Sequence, residues 1–193
     1  MTYATRLTQA TADRGRLCVG IDPMPSVLDA WGLSRDVAGL EACARGIVEA
    51  LGDRVAVFKP QSAFFEAYGS AGVAVLERLL RDIRAAGALS LLDVKRGDIG
   101  SSMAGYAAAH LGEGAPLWAD AITVSPYLGV GALRPAIDAA VAGDRGSTCW
   151  PGPPTRRGQR SSWPVPRATA ASRRLSPTPS PSSTRRPTSP SVW

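Results

Sequence analysis

The chain has 193 residues, 45% of them hydrophobic, with three cysteines, one histidine and a formal net charge of +6. That length allows one domain with a sizeable core. No CxxC spacing points to a metal ribbon, no N-terminal apolar core to a leader, and no apolar run to a membrane span, so the sequence predicts a cytoplasmic protein with reduced thiols.

The charge is unevenly placed. Residues 1–146 hold 14 basic and 16 acidic side chains, whereas residues 147–193 hold eight arginines, no lysine, no acid and ten of the 16 prolines. The basic excess lies wholly in the second segment. Nothing in the body therefore suggests nucleic acid or a membrane surface as a partner.

In chain order, residues 3–13 read as a short polar-faced helix. Leu17-Cys18-Val19-Gly20-Ile21 reads as a buried strand ending in Asp22-Pro23. Leu40, Cys43, Ile47, Val48 and Leu51 share one face of a helix over 37–51. Val55 to Phe58 is a second strand, ending in Lys59-Pro60, and residues 71–86 a second long helix with Val75, Leu76, Leu79, Leu80 and Ile83 inside. Ala88 to Val94 is a third strand, 102–111 a third helix, Ala119 to Val124 a fourth strand, and 132–141 a fourth helix. His110 is expected to cap its helix, Met24 and Met103 to pack, and Trp31 and Trp118 to be partly buried.

Strand then helix, four times over, predicts a parallel sheet covered by helices. Polar residues close the successive strands: Asp22, Lys59, Asp93 with Lys95, then Thr123 and Ser125. Active sites of (β/α)8 barrels gather at that end. A doubly wound sheet would also bind ligands there, but Asp22-Pro23-Met24-Pro25 stands where a glycine-rich phosphate loop would follow the first strand. The expected fold is an α/β TIM barrel. Residues 1–146 supply only about its first four β/α units, because such barrels need ~250 residues.

Residues 147–193 are Pro, Ser, Thr, Arg and Ala with scattered Trp, too poor in aliphatic residues to build a core, and are expected to be a disordered, non-globular tail. A shifted reading frame is the expected cause of the break. Gly146-Ser147-Thr148-Cys149-Trp150-Pro151 can be encoded so that the same bases, read one base earlier, give Val-Tyr-Val-Leu-Ala, a good buried strand.

The chemistry concentrates in Leu91-Leu92-Asp93-Val94-Lys95-Arg96-Gly97-Asp98-Ile99-Gly100. The body uses Arg for its other cations, and its only lysines are Lys59 and Lys95, each at a strand end. Unlike Arg, Lys can give up a proton. Asp93 and Lys95, two apart in a strand, project to one face. Asp98 follows at the turn into a helix. With Lys59, these residues can form an alternating array in which carboxylates hold an ammonium charged and aimed, ready to protonate a carbanion. The plain alternative is a surface charge cluster.

Asp93-x-Lys95-x-x-Asp98-Ile99 resembles the central motif of the orotidine 5'-phosphate decarboxylase family. Gly20-Ile21-Asp22-Pro23, Phe58-Lys59-Pro60-Gln61-Ser62-Ala63-Phe64-Phe65-Glu66 and Thr123-Val124-Ser125-Pro126-Tyr127-Leu128-Gly129 are similar to the strand ends of its bacterial Lys-Pro-Gln-Ser subgroup. The resemblance implies conversion of orotidine 5'-phosphate to UMP and CO2 in pyrimidine synthesis, by a homodimeric barrel that uses no metal and no organic cofactor. It implies that Lys95 protonates C6 and that Asp93 sits beside the departing carboxylate. Lys59 and Asp22 would contact the ribose, with Thr123 and Ser125 also at the substrate. Asp98 and Ser102 would reach across the dimer interface. The family's later phosphate-gripping segments are not recognisable in 147–193, so the chain as written is expected to be unstable and to turn over little.

Two alternatives stay open. A related group with the same motif acts on sugar phosphates with Mg2+, but it carries a Glu metal ligand at the second strand end, where this chain has Lys59. The other is a non-enzymatic remnant whose basic tail binds acidic partners.

Overall fold

The computed structural model describes residues 1–149. Its elements run α1 (Tyr3–Arg14), β1 (Cys18–Ile21), α2 (Pro25–Ala30), α3 (Val37–Leu51), β2 (Val57–Pro60), α4 (Ser62–Glu66), α5 (Gly69–Ala85), β3 (Leu89–Arg96), α6 (Gly100–Leu111), β4 (Ala121–Val124), a 3-10 turn (Val130–Leu133), α7 (Arg134–Ala142) and β5 (Gly146–Cys149). The strands form one sheet in the order β1-β2-β3-β4-β5, and every pairing is parallel. Each strand thus lies beside its neighbour in sequence. A doubly wound sheet reverses its order at a switch point; this one has none, which is the winding of a β/α barrel.

The two faces of the sheet have different fillings. Ile21, Phe58, Leu92, Val94, Ile122 and Val124 pack into one large core with Leu40, Val48, Leu76, Leu79, Met103 and Ala136 from the covering helices. Strand side chains alternate, so Val57 and Leu89 point to the opposite face. There, with Ala56, they meet Tyr3, Leu7 and Ala10 of α1. α1 is thereby packed across the N-terminal end of the strands. Arg14 ties it down, donating to the carbonyls of Gly52, Val55 and Ala86, which follow α3 and α5. Arg6 adds an ion pair to the buried Asp120, whose Oδ2 accepts from Ser90 N and Oγ at 3.0 and 3.1 Å. The polar work at this end is structural, and the opposite end of the strands is left for chemistry.

Some expectations need correction. The first strand is buried only at its end, at Ile21: Leu17 is 60% exposed and Cys18 is exposed too, because among the described residues β1 is a sheet edge with a neighbour on one side. Trp31 is exposed, whereas Trp118 is half-buried against the guanidinium groups of Arg84 and Arg145. Ser147 to Cys149, read as tail, pair with β4 as the last residues of β5. The rest of the predicted tail lies outside the described residues.

Candidate active site

Three strands converge on one carboxylate. Asp93 is 2% exposed. Its Oδ2 accepts from Lys59 Nζ and from Gln61 Nε2, each at 3.0 Å. Its Oδ1 accepts from Thr123 Oγ1 at 2.7 Å and lies 2.7 Å from Lys95 Nζ. β2, β3 and β4 thus each supply a side chain at the same level, as parallel strands in register must. Burial by itself would raise the Asp93 pKa. The hydrogen bonds from Lys95, Thr123 and Lys59 and the Lys59 charge outweigh it and bring the carboxyl from an ordinary 3.8 to about 2. Asp93 is therefore an anion at neutral pH, and it keeps two ammonium groups in place.

Lys95 is the more accessible of the two, with a side chain 43% exposed against 29% for Lys59. Its backbone is left-handed, with φ at +47°, which costs a non-glycine residue about 1–3 kcal/mol and collects at functional sites. The cause is a bulge: β3 and β4 are in register at Leu92/Ile122 and again at Arg96/Val124. A cleft of about 280 Å³ opens beside the array, lined by Gln61, Ser62, Phe64, Asp93, Lys95 and Arg96 among others.

A second polar layer backs this cleft. Arg96 Nη2 donates to Glu66 Oε1 at 2.5 Å, and Ser62 Oγ donates to the same oxygen at 2.6 Å. The Arg96 guanidinium also lies 5.5 Å from the Tyr106 ring centre. The Ser62 hydrogen bond, aided by Arg96 and opposed by burial, holds the Glu66 carboxyl below its ordinary pKa. His110, expected as a helix cap, is instead a buried residue at 4% exposure whose Nδ1 has no partner among the described residues. Burial first, then the Arg96 charge, push its pKa below 6.5.

Of the residues singled out from sequence, Lys59, Asp93, Lys95 and Thr123 form one network. Asp22 follows β1 directly, with its Oδ1 buried and unpartnered among the described residues. Asp98 is half-buried and accepts from Ile99 N at 2.8 Å, at the entrance to α6. Ser102 is exposed on the first turn of α6. Ser125 N donates to Arg96 O at 2.8 Å, closing the end of the β3–β4 ladder. Sequence reasoning gave no role to Gln61, Glu66 or Arg96. Gln61 was within reach: it lies two residues after Lys59, and residues at i and i+2 of a strand face the same way. Glu66 and Arg96 meet only through the fold.

The family model described as "Orotidine 5'-phosphate decarboxylase / HUMPS family" matches residues 15–157. The chain is 64% identical over 141 residues to the orotidine 5'-phosphate decarboxylase of Salinispora arenicola, covering 73% of this chain and 51% of that one. It is 62% identical over 138 residues to that of Streptomyces coelicolor, covering 72% and 50%. It superposes with a TM-score of 0.76 on a crystal structure of a Streptomyces avermitilis protein assigned as an orotidine 5'-phosphate decarboxylase, at 60% identity over 77% of this chain and 52% of that one. With the Leishmania donovani OMP decarboxylase the TM-score is 0.64 at 30% identity, over 77% and 53%. The chain spans about half the length of the curated relatives it matches. With a family model matching residues 15–157 and relatives above 60% identity over this stretch, the chain belongs to the orotidine 5'-phosphate decarboxylase / HUMPS family.

Proposed function

We propose that this site serves the decarboxylation of orotidine 5'-phosphate to UMP. The C6–carboxyl bond breaks, CO2 leaves, and the electron pair left on C6 takes a proton from Lys95 Nζ. The observation that carries this reading is the Lys95 ammonium held 2.7 Å from an Asp93 carboxylate that Lys59 braces from its other oxygen. A fixed ammonium meets a developing carbanion without reorganising. Asp93, next to the leaving carboxylate, would add ground-state repulsion. Lys59 and Asp22 would take the ribose hydroxyls, and the buried Asp22 Oδ1, without a partner among the described residues, supports this. Ser125 would lie along the substrate.

A cation at the Lys59 position repels a divalent metal where the sugar-phosphate branch needs an oxygen ligand, which favours the nucleotide. The test is release of labelled CO2 from carboxyl-labelled orotidine 5'-phosphate. It compares the chain as written, a chain with the frame restored at codon 146, and each with Lys95→Ala. The restored chain is expected to release CO2 and to lose at least about a hundredfold in rate on Lys95→Ala. The chain as written is expected to be slow or silent. Release indifferent to Lys95, or Mg2+-dependent turnover of a sugar phosphate, would overturn the proposal.

A homodimer with Asp98 and Ser102 reaching the partner's site belongs to the same reading. Ile99 at 62% exposed, Tyr127 at 88%, Leu128 at 49% and Val130 at 49% support it, as apolar surface at the mouth of the strands. Ile99→Asp should shift the restored chain from dimer to monomer in sedimentation; an unchanged dimer would count against this interface.

A further inference from the structure

Lys95 has a conformation that lysine rarely takes, and one side chain accounts for it. Between Leu92 and Arg96 of β3 lie Asp93, Val94 and Lys95, while between their partners Ile122 and Val124 lies only Thr123. Alternate N–H groups of a central strand face opposite neighbours, and Leu89 N donates to Ala56 O just before β2, so a regular ladder would turn the Lys95 N–H toward β2. At the bulge it turns to β4 instead, where Thr123 Oγ1 accepts it at 2.9 Å. The same hydroxyl gives its own proton to Asp93 Oδ1 at 2.7 Å. One hydroxyl can accept and donate at once. The strand is held beyond the bulge as well: Gly97 passes so close to β4 that a Cβ there would lie 2.4 Å from Ser125 O. Thr123 is 3% exposed, so solvent has little access to substitute for it.

We propose that Thr123 is a positioning residue for Lys95. Its hydroxyl locks the left-handed Lys95 backbone and the Asp93 carboxylate into one unit, and so aims the ammonium at Asp93 Oδ1. The use of that aim in proton delivery rests on the decarboxylase reading; the positioning itself does not. Thr123 then acts on the array through two neighbours, the Lys95 N–H and the Asp93 carboxylate.

The two-lysine sequence gives a direct test in the full chain. Labelling with [15N]lysine leaves two backbone signals, Lys59 and Lys95. In Thr123→Val, which keeps the shape and removes the hydroxyl, exchange of the Lys95 amide should rise at least about tenfold while Lys59 holds. The acid midpoint at which the Lys95 signal reports Asp93 ionisation should rise by about one unit. Thr123→Ser should restore both. Equal acceleration at Lys59 and Lys95 would reveal mere loosening of the sheet and overturn the proposal, as would an unchanged Lys95. If Thr123→Val does not fold, the unsubstituted chain and Thr123→Ser decide: a Lys95 amide exchanging at the unprotected rate in either overturns it, and protection in both sustains it. No nucleotide is present in these measurements, so they stand or fall apart from CO2 release. In an active chain, Thr123→Val should lower kcat more than it raises KM.

Discussion

At the scale of single residues, Asp93 is the group on which the strand ends depend. Its carboxyl, ordinarily at 3.8, lies at about 2 in the folded chain. A depressed carboxyl adds stability that is complete above pH ~4 and lost as the pH falls through ~2, because the unfolded chain takes up the proton first. For this buried carboxylate the contribution is about 2 kcal/mol. Asp93→Asn should therefore flatten the acid limb of the stability curve between about pH 4 and pH 2. Urea titrations of both chains over that range measure it, and identical slopes would show that Asp93 is not the linked group. The sequence made Asp93, Lys95 and Lys59 legible because scarcity marked them: two lysines in a body that otherwise uses arginine, each at the end of an apolar run. It placed Gln61 on the Lys59 face of its strand but could not show that Gln61 and Thr123 complete the coordination of Asp93. Both are common residues, and only the register of β2 and β4 against β3 brings Gln61 to Oδ2 and Thr123 to Oδ1.

At the scale of elements, helices with strong apolar spacing were the most legible: 37–51 is observed as α3 over the same span, and the helix read over 71–86 is α5 over Gly69–Ala85. Short elements were not. α2 has six residues and α4 five, too few to show a period, and both form where the chain turns off a strand end. β3, read as ending at Val94, continues to Arg96. The bulge there breaks the alternation from which a strand is read. The same bulge makes the join between β3 and α6 sensitive to volume. A Cβ at Gly97 would stand 2.4 Å from Ser125 O and 3.2 Å from Ser125 Cβ, and the first of these is backbone that cannot step aside. Gly97→Ala should push the ends of β3 and β4 apart and cost about 1–3 kcal/mol. It should also free the Lys95 amide, since the damage falls at the bulge. Thermal melting together with amide exchange checks this, and a melt unchanged from the parent would mean that the strand ends can part without loss.

At the scale of the whole molecule, the sheet of the described residues has two edges, β1 and β5, and the residues of β5 do not suit their place. β4 beside it is buried along all four of its residues and reads Ala-Ile-Thr-Val. β5 reads Gly-Ser-Thr-Cys, and its last two residues are exposed. The barrel winding was legible from the order of strands and helices, but β5 was not, because its backbone takes up the ladder without an apolar pattern to announce it. In the alternative frame the bases across this strand can encode Val-Tyr-Val-Leu, the β-branched and aromatic sequence that a strand beside β4 calls for. The frame-shift proposal would put that strand here, where composition breaks. Resequencing the DNA across codons 140 to 193 tests it directly, and expression of both frames tests its physical content. The chain as written should self-associate through its open strand edges and melt without cooperativity. The restored chain should run as a single species with a cooperative transition. An uninterrupted frame in the DNA, with a monodisperse and cooperatively melting product, would instead make Gly146 to Cys149 a native strand and require the polar edge of β5 to have a purpose of its own.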